Sequence, residues 1–239
     1  MARLLLELRP EEDTEGPFFN NYYFLSALYS LMGEIGLTDV HRGNKFRYFT
    51  FSDFFPYGDA KKGDIKRIIV SSPDKRTVES ISKEISSRGY IYLGEKRLSV
   101  SSSKFFEIRE LVNEFITGSP VVIYKDNRKG LFFSLSNGDP LSFFLERIKE
   151  NAVKKYKQFK TIEDFQLEGF IFDSLNFKKE VRVQIKKMGK EFYFVGTMWN
   201  SMKKLRIKSE YRDFYRFIMD AGIGEKNSMG FGFLNPKAV

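Results

Sequence analysis

The sequence predicts an α+β chain built as two βαββαβ units in series. Three observations carry this expectation. Strand-like and helix-like segments follow one another in the order βαββαβ through the first half, and the second half can be read in the same order, though less cleanly. The length of 239 residues suits one large domain or two small ones, and 26 phenylalanines supply bulky apolar filler for the core.

The first strand is "ARLLLELRP", in which Leu4, Leu6 and Leu8 alternate with other residues before Pro10 stops the run. A helix is expected from Phe18 to about Gly36, with apolar side chains near positions 21, 25, 28 and 32, Asn20 or Asn21 as its cap and Gly36 as its stop. "FRYFTFSDF" from Phe46 reads as a second strand and "DIKRIIVSS" from Asp64 as a third. Thr77 to about Gly89 reads as a short helix with Val78, Ile81 and Ile85 on its apolar side, and "YIYLGEKRLSV" as a fourth strand or a hairpin.

In the second half, "PVVIYKD" from Pro120 and "LFFSL" from Leu131 are strand-like, separated by a polar turn ending at Gly130. This is one strand more than the plan requires. A helix with Asp139 as cap and Pro140 at its first position runs to about Tyr156. "VRVQIKKMGKEFYFVGTMW" looks like two strands around a turn at Gly189. "SEYRDFYRFIMDAG" is a helix with Ser209 as cap, Phe214, Phe217 and Ile218 as contacts and Gly222 as terminator, and "GFGFLN" a last short strand. The expected architecture is two ferredoxin-like modules, residues 1–115 and 116–239, joined near 110 to 119, with shared topology but no residue-by-residue repeat.

Forty Lys and Arg against 31 Asp and Glu give a formal charge of +9, which favours an anionic partner such as nucleic acid or an acidic membrane surface. The surplus is local: Lys178 to Lys208 holds ten basic and two acidic residues, a net +8. The absence of cysteine excludes disulfides and thiolate–metal sites and points to an intracellular setting. The apolar run at the N-terminus is broken by Glu7 and Arg9, so it reads as a strand and not as a signal peptide. No run approaches the roughly 18 apolar residues that span a bilayer, so a soluble protein is expected.

Two features could carry function. "AGIGEKNSMGFGFL", residues 221–234, packs Gly222, Gly224, Gly230 and Gly232 after a helix, with Lys226, Asn227 and Ser228 as side-chain donors. Such a loop either shapes a nest of amide donors for phosphate oxygens or serves as a helix end and a packing element. Its spacing matches neither GxGxxG nor GxxxxGK[ST]. The second feature is the single histidine, His41, in "LTDVHRGNK", with Arg42, Lys45 and Arg47 close by and Tyr29 on the preceding helix. A lone histidine is usually an ordinary turn residue. One with an unperturbed pKa can shuttle protons, and clustered cations can stabilise charge on a phosphorane.

Together these stretches resemble the CRISPR repeat-processing endoribonucleases of the repeat-associated RNA-binding superfamily, over essentially the whole chain. "GIGEKNSMGFG" is similar to the family's glycine-rich loop, and "NYYFLSALYSLM" followed by "HRGNKFRYFTFSDF" to its first helix, catalytic connector and second strand. The resemblance implies tandem ferredoxin-like domains that cut precursor CRISPR RNA within each repeat without metal or cofactor, leaving a 2′,3′-cyclic phosphate and a 5′-hydroxyl. It implies Tyr29, His41 and Arg47 as catalytic residues in the archaeal, single-histidine arrangement, Arg47 standing where the family has lysine. A guanidinium stays protonated and cannot donate a proton, so Lys45 is a further candidate. The expected RNA contacts are Gly222, Gly224, Lys226, Ser228, Gly230 and Gly232 in the loop, together with Arg182, Lys186, Lys187, Lys190, Lys203, Lys204 and Arg206. Tyr193 and Trp199 read as core residues or as stacking platforms. The partner expected is single-stranded or weakly structured repeat RNA in the cytoplasm, with an interference complex and a homodimer as further associations and no membrane. Two other readings stay open: a noncatalytic repeat-binding member or structural subunit, and a basic ferredoxin-like protein that assembles only with proteins.

Overall fold

Leu4, Leu6 and Leu8 are completely buried along β1 (Ala2–Pro10) in the computed structural model, which describes residues 1–36, 47–187 and 190–237. Their alternation makes β1 the centre of an antiparallel sheet. On one side it pairs with β3 (Lys66–Ser72), which carries the two-residue β2 (Thr50–Phe51) on its outer edge. On the other side it pairs with β5 (Lys96–Glu107), which turns back on β4 (Tyr90–Leu93), giving the order β2-β3-β1-β5-β4. The last strand of the βαββαβ plan is thus delivered as a hairpin.

Two helices cover this sheet's apolar residues. In α1 (Asn21–Glu34) the Asn20 side chain accepts a hydrogen bond from the Tyr23 amide, and Phe24, Leu25, Leu28, Leu31 and Met32 are buried. In α2 (Lys75–Arg88) the Asp74 carboxylate accepts from the Arg76 amide and the Thr77 hydroxyl, Val78, Ile81 and Ile85 are buried, and Gly89 ends the helix at φ +73°. Both belong to one core with Phe51, Ile68 and Val70. The expected strand from Phe46 shrinks to Thr50–Phe51, and Phe46 itself lies outside the described residues.

The second sheet has the order β10-β11-β6-β12, built from β6 (Glu114–Thr117), β10 (Ser174–Lys187), β11 (Lys190–Lys203) and β12 (Leu234–Pro236); β7 (Val121–Val122) also pairs with β11. The inner strand β6 lies in the stretch assigned by sequence to the join between modules. With four residues and only Phe115 and Thr117 buried, it is too short to show a period. The surplus strand of the sequence reading belongs to a separate two-stranded hairpin, β8 (Tyr124–Asp126) with β9 (Leu131–Phe132).

The helices of this half are α3 (Leu141–Lys160) and α4 (Arg212–Ala221). Pro140 is the cap residue of α3 and makes no side-chain cap; Asp139 instead accepts from the Ser134 amide and from Lys125. The helix continues past Tyr156 to Lys160 and stops at Thr161, at φ +56°. Ser209 does not cap α4 but opens a 3-10 turn, Ser209–Tyr211, ahead of it. By contacts the chain divides into Met1–Arg109 with Ser228–Gly230, and Glu110–Asn227 with Phe231–Val239. The tandem ferredoxin-like α+β reading therefore describes the fold.

Replacing Asn20 by Ala should lower stability by about 1 kcal/mol, the usual value of an N-cap, and Asn20→Ser should retain most of it. Urea unfolding of the two variants against wild type measures this.

Candidate active site

Tyr29 leaves α1 half-buried, with its ring edge-on to Phe49 at 6.1 Å between centroids. Its hydroxyl oxygen accepts a hydrogen bond from Arg47 Nη1 at 2.5 Å, and the Arg47 Cζ lies 5.2 Å from the ring centroid. Ser228 makes a further hydrogen bond to the same phenol. Burial pushes the Tyr29 pKa up, against the opposing effects of the Arg47 charge and the two hydrogen bonds, so the phenol is neutral near pH 7. A phenol, a guanidinium and a hydroxyl from positions 29, 47 and 228 thus meet at one point. The sequence reading placed Ser228 only among RNA contacts; no local signal ties it to Tyr29. His41 and Lys45 lie outside the described residues.

The glycine-rich segment is folded inward. Gly222, Ile223, Gly224, Asn227, Gly230 and Gly232 are buried, and Lys226 is its exposed residue, at φ +59°. The amides expected to form a phosphate nest are partly committed within the protein: Gly222 to Ile218, Ile223 to Gly232, Glu225 to Val122 and Gly232 to Pro120, each donating to a carbonyl. Gly224, Gly230 and Gly232 are set by space as well as by conformation, Gly230 (φ +81°) by the Phe51 ring 2.1 Å from where its Cβ would stand. A Cβ at Gly232, φ +69°, would stand 1.9 Å from the Ile223 oxygen, and one at Gly224, φ +71°, 2.7 Å from the Val122 oxygen. The packing alternative thus accounts for these glycines, which leaves Lys226 and Ser228 as the loop's outward chemistry.

Under the loop lies Lys155 of α3, whose side-chain amine is buried. Its Nζ donates to the carbonyls of Gly222 (2.9 Å) and Gly224 (3.3 Å) and to Asn227 Oδ1 (2.5 Å). Asn227 passes the constraint on, its Nδ2 donating to the carbonyls of Ile223 (2.8 Å) and Phe231 (2.9 Å). Three acceptors match the three hydrogens of the charged form. Desolvation nevertheless draws the Lys155 pKa down to about 7, opposed by the negative charge of Glu225. Sequence does not pick out Lys155, because a lysine among the charged residues of "NAVKKYKQFK" gives no sign of facing inward, and Asn227, expected as a donor to an anion, is instead engaged in these buried contacts.

The basic stretch divides into engaged and exposed residues. Lys203 lies 3.8 Å from Glu114, and Lys204 donates to Asp173 (2.8 Å) and to the Phe170 carbonyl (3.0 Å), so both are engaged within the fold. Arg206 is exposed, and the Arg182 Cζ stands 4.0 Å over the Tyr193 ring. The side chains of Lys186, Lys187 and Lys190 lie outside the described residues. Trp199 is core: it is 2% exposed, packs 5.1 Å from Phe144, and donates its indole N–H to Thr197. Tyr193, at 48% exposed, is not. Among the described residues no group of three or more His, Cys, Asp or Glu is placed to hold a metal ion, and no helix is long and apolar enough to cross a membrane.

Comparison with known proteins adds two kinds of likeness. Residues 102–236 match the family model described as CRISPR associated protein Cas6, C-terminal. The chain is 40% identical over 240 residues to CRISPR-associated endoribonuclease Cas6 2 of Methanocaldococcus jannaschii, covering 98% of this chain and 99% of that protein. Among solved structures, one titled CRISPR associated protein Cas6 has a TM-score of 0.72 at 23% identity, covering 99% of each chain. Another, titled An RAMP protein binding different RNA substrates, has a TM-score of 0.74 at 18% identity and covers 100% of each. At these identities the structures support the fold.

The Lys155 arrangement carries a definite pH dependence. Below about pH 7 the residue is protonated in both folded and unfolded chains, whereas between about 7 and 10.5 the unfolded chain holds a proton that the folded chain has released. Its contribution to stability therefore rises with pH through that interval and is lost as pH falls back towards 7. Urea unfolding from pH 7 to 9 should show wild type gaining stability relative to Lys155→Met.

Proposed function

The chain belongs to the Cas6 family of CRISPR-associated endoribonucleases, and from this we propose that it cuts precursor CRISPR RNA within its repeats through attack by the ribose 2′-hydroxyl. RNA is its partner, and repeat RNA in an unpaired or weakly folded form is the substrate proposed. The observation that carries the reading is the meeting of Tyr29, Arg47 and Ser228, which places donors of three kinds around one point.

His41, neutral, accepts the proton of the 2′-hydroxyl as O2′ bonds to the adjacent phosphorus. The P–O5′ bond then breaks, and O5′ takes up a proton from solvent while the His41 imidazolium returns one to it, giving a 2′,3′-cyclic phosphate and a 5′-hydroxyl. The nucleophile comes from the substrate, so the step needs no metal-bound water. Arg47, helped by Lys45, stabilises the charge that grows on the non-bridging oxygens. Tyr29, kept as a neutral phenol by its burial, donates a hydrogen bond to the phosphate or to the departing O5′. Ser228 holds a phosphate oxygen from the loop side, and Lys226 neutralises a neighbouring phosphate. Arg182 and Arg206, with Lys186, Lys187 and Lys190, extend the backbone contacts, which supply affinity more than sequence preference. Work in the cytoplasm, delivery of the product to an interference complex and pairing of two chains belong to the same proposal.

A labelled repeat RNA incubated with the protein in EDTA should give one discrete cut ending in a cyclic phosphate. A single 2′-deoxyribose at that position should abolish the cut while most binding persists; cutting of the deoxy substrate would sink the mechanism. In single-turnover assays His41→Ala should slow cleavage by on the order of 100-fold or more. Tyr29→Phe, which keeps the ring and loses the hydroxyl, should lower the rate with little change in RNA affinity, whereas an unchanged rate would remove Tyr29 from the chemistry.

A further inference from the structure

The β8–β9 hairpin stands off the main sheet and brings its aromatics against β11. Phe132 lies 4.7 Å from Tyr124 and 6.3 Å from Tyr193, centroid to centroid. Each end of this row carries a cation: Lys226 Nζ is 5.6 Å from the Tyr124 centroid, and Arg182 Cζ is 4.0 Å from that of Tyr193. The hairpin turn adds Arg128 and Lys129, both exposed, with Asp126 accepting from their amides and fixing the tip. Tyr193 and Leu131 are each 48% exposed, while Tyr124 is nearly covered.

We propose that Tyr193, supported by Phe132, is a stacking platform for an unpaired base of the RNA, with Arg182 and Lys226 holding the phosphates on either side of it. This rests on the RNA-binding reading above and deepens it by naming where a base, and not only the backbone, is held. A half-exposed ring already ordered by a guanidinium loses little freedom when a second flat group joins it. Every nucleobase has such a face, so the platform selects unpaired over paired RNA and only weakly among bases. Charge favours RNA over an apolar protein surface. Arg128, Lys129, Arg182 and Lys226 face the acids Asp126 and Glu225, and the Glu225 carboxylate is engaged by the Tyr124 amide and Arg147.

The test uses fluorescence anisotropy of an unpaired repeat RNA over a salt series, with thermal unfolding to check each variant. Tyr193→Ala should weaken binding roughly ten-fold at every salt concentration, leaving the salt slope unchanged, because stacking releases no counterions. Tyr193→Phe should bind as wild type does. Arg182→Ala and Lys226→Ala should each reduce the slope by about 0.7. Wild-type affinity in Tyr193→Ala would overturn the proposal and leave the strip as a surface for a protein partner; an equal loss in Tyr193→Phe would overturn it in favour of a hydroxyl contact. If the alanine variant does not fold, 2-aminopurine placed along the RNA decides the matter with the wild-type protein. Quenching at one unpaired position supports the platform, and unchanged emission at all of them overturns it. Failure of wild type to bind repeat RNA at all would instead remove the underlying reading.

Discussion

A lysine taken out of water must have an acceptor for each of its hydrogens, and that requirement at Lys155 shapes the glycine-rich loop. Gly222, Gly224 and Asn227 supply the three oxygens, and the Asn227 amide gathers two more carbonyls from Ile223 and Phe231. The chain can close this tightly only where side chains are missing, which is why Gly224 and Gly232 stand within contact of the Val122 and Ile223 oxygens. One residue beyond Asn227, the Ser228 side chain reaches the Tyr29 phenol. The loop is therefore a folded object held from beneath, and its chemistry is concentrated in Lys226 and Ser228.

Charge is distributed more selectively than the local surplus of +8 suggests. Lys203 and Lys204 have acidic neighbours in Glu114 and Asp173, so their charge is engaged within the second unit. Lys237 also joins Glu114, at 2.7 Å, and holds its carboxyl below the usual range. Exposed ion pairs of this kind add little to stability. What they do is lower the number of cations available to a polyanion, leaving Arg182, Arg206 and Lys226 as the described basic residues of the expected RNA contacts that make no ion pair with an acid here.

Much of the fold was legible. β1 could be read from three alternating leucines, α1 from Asn20, and α2 from the Val78, Ile81 and Ile85 spacing, because each of these elements solves its burial problem with its own local pattern. The failures share a cause. β6 is a four-residue strand whose partners β11 and β12 come some 80 to 120 residues later, and α3 outlasts its expected end because Tyr156 packs against Phe165, Phe214 and Phe217. Asp139 looked like a helix cap, but Lys125 and the Ser134 amide claim it.

By itself the sequence determined the α+β class, most helices and long strands, and the family, since periodicity, capping residues and the order of two motifs are written in contiguous stretches. Only the tertiary structure decided which residues share a point in space. Tyr29, Arg47 and Ser228 converge, and Lys155 turns inward beneath the glycines, while Trp199 goes to the core and Tyr193 to the surface. Hydrogen-bond partners separated by tens or hundreds of residues leave no local pattern. They are fixed when burial compels each polar group to find an acceptor or donor wherever the fold has brought one.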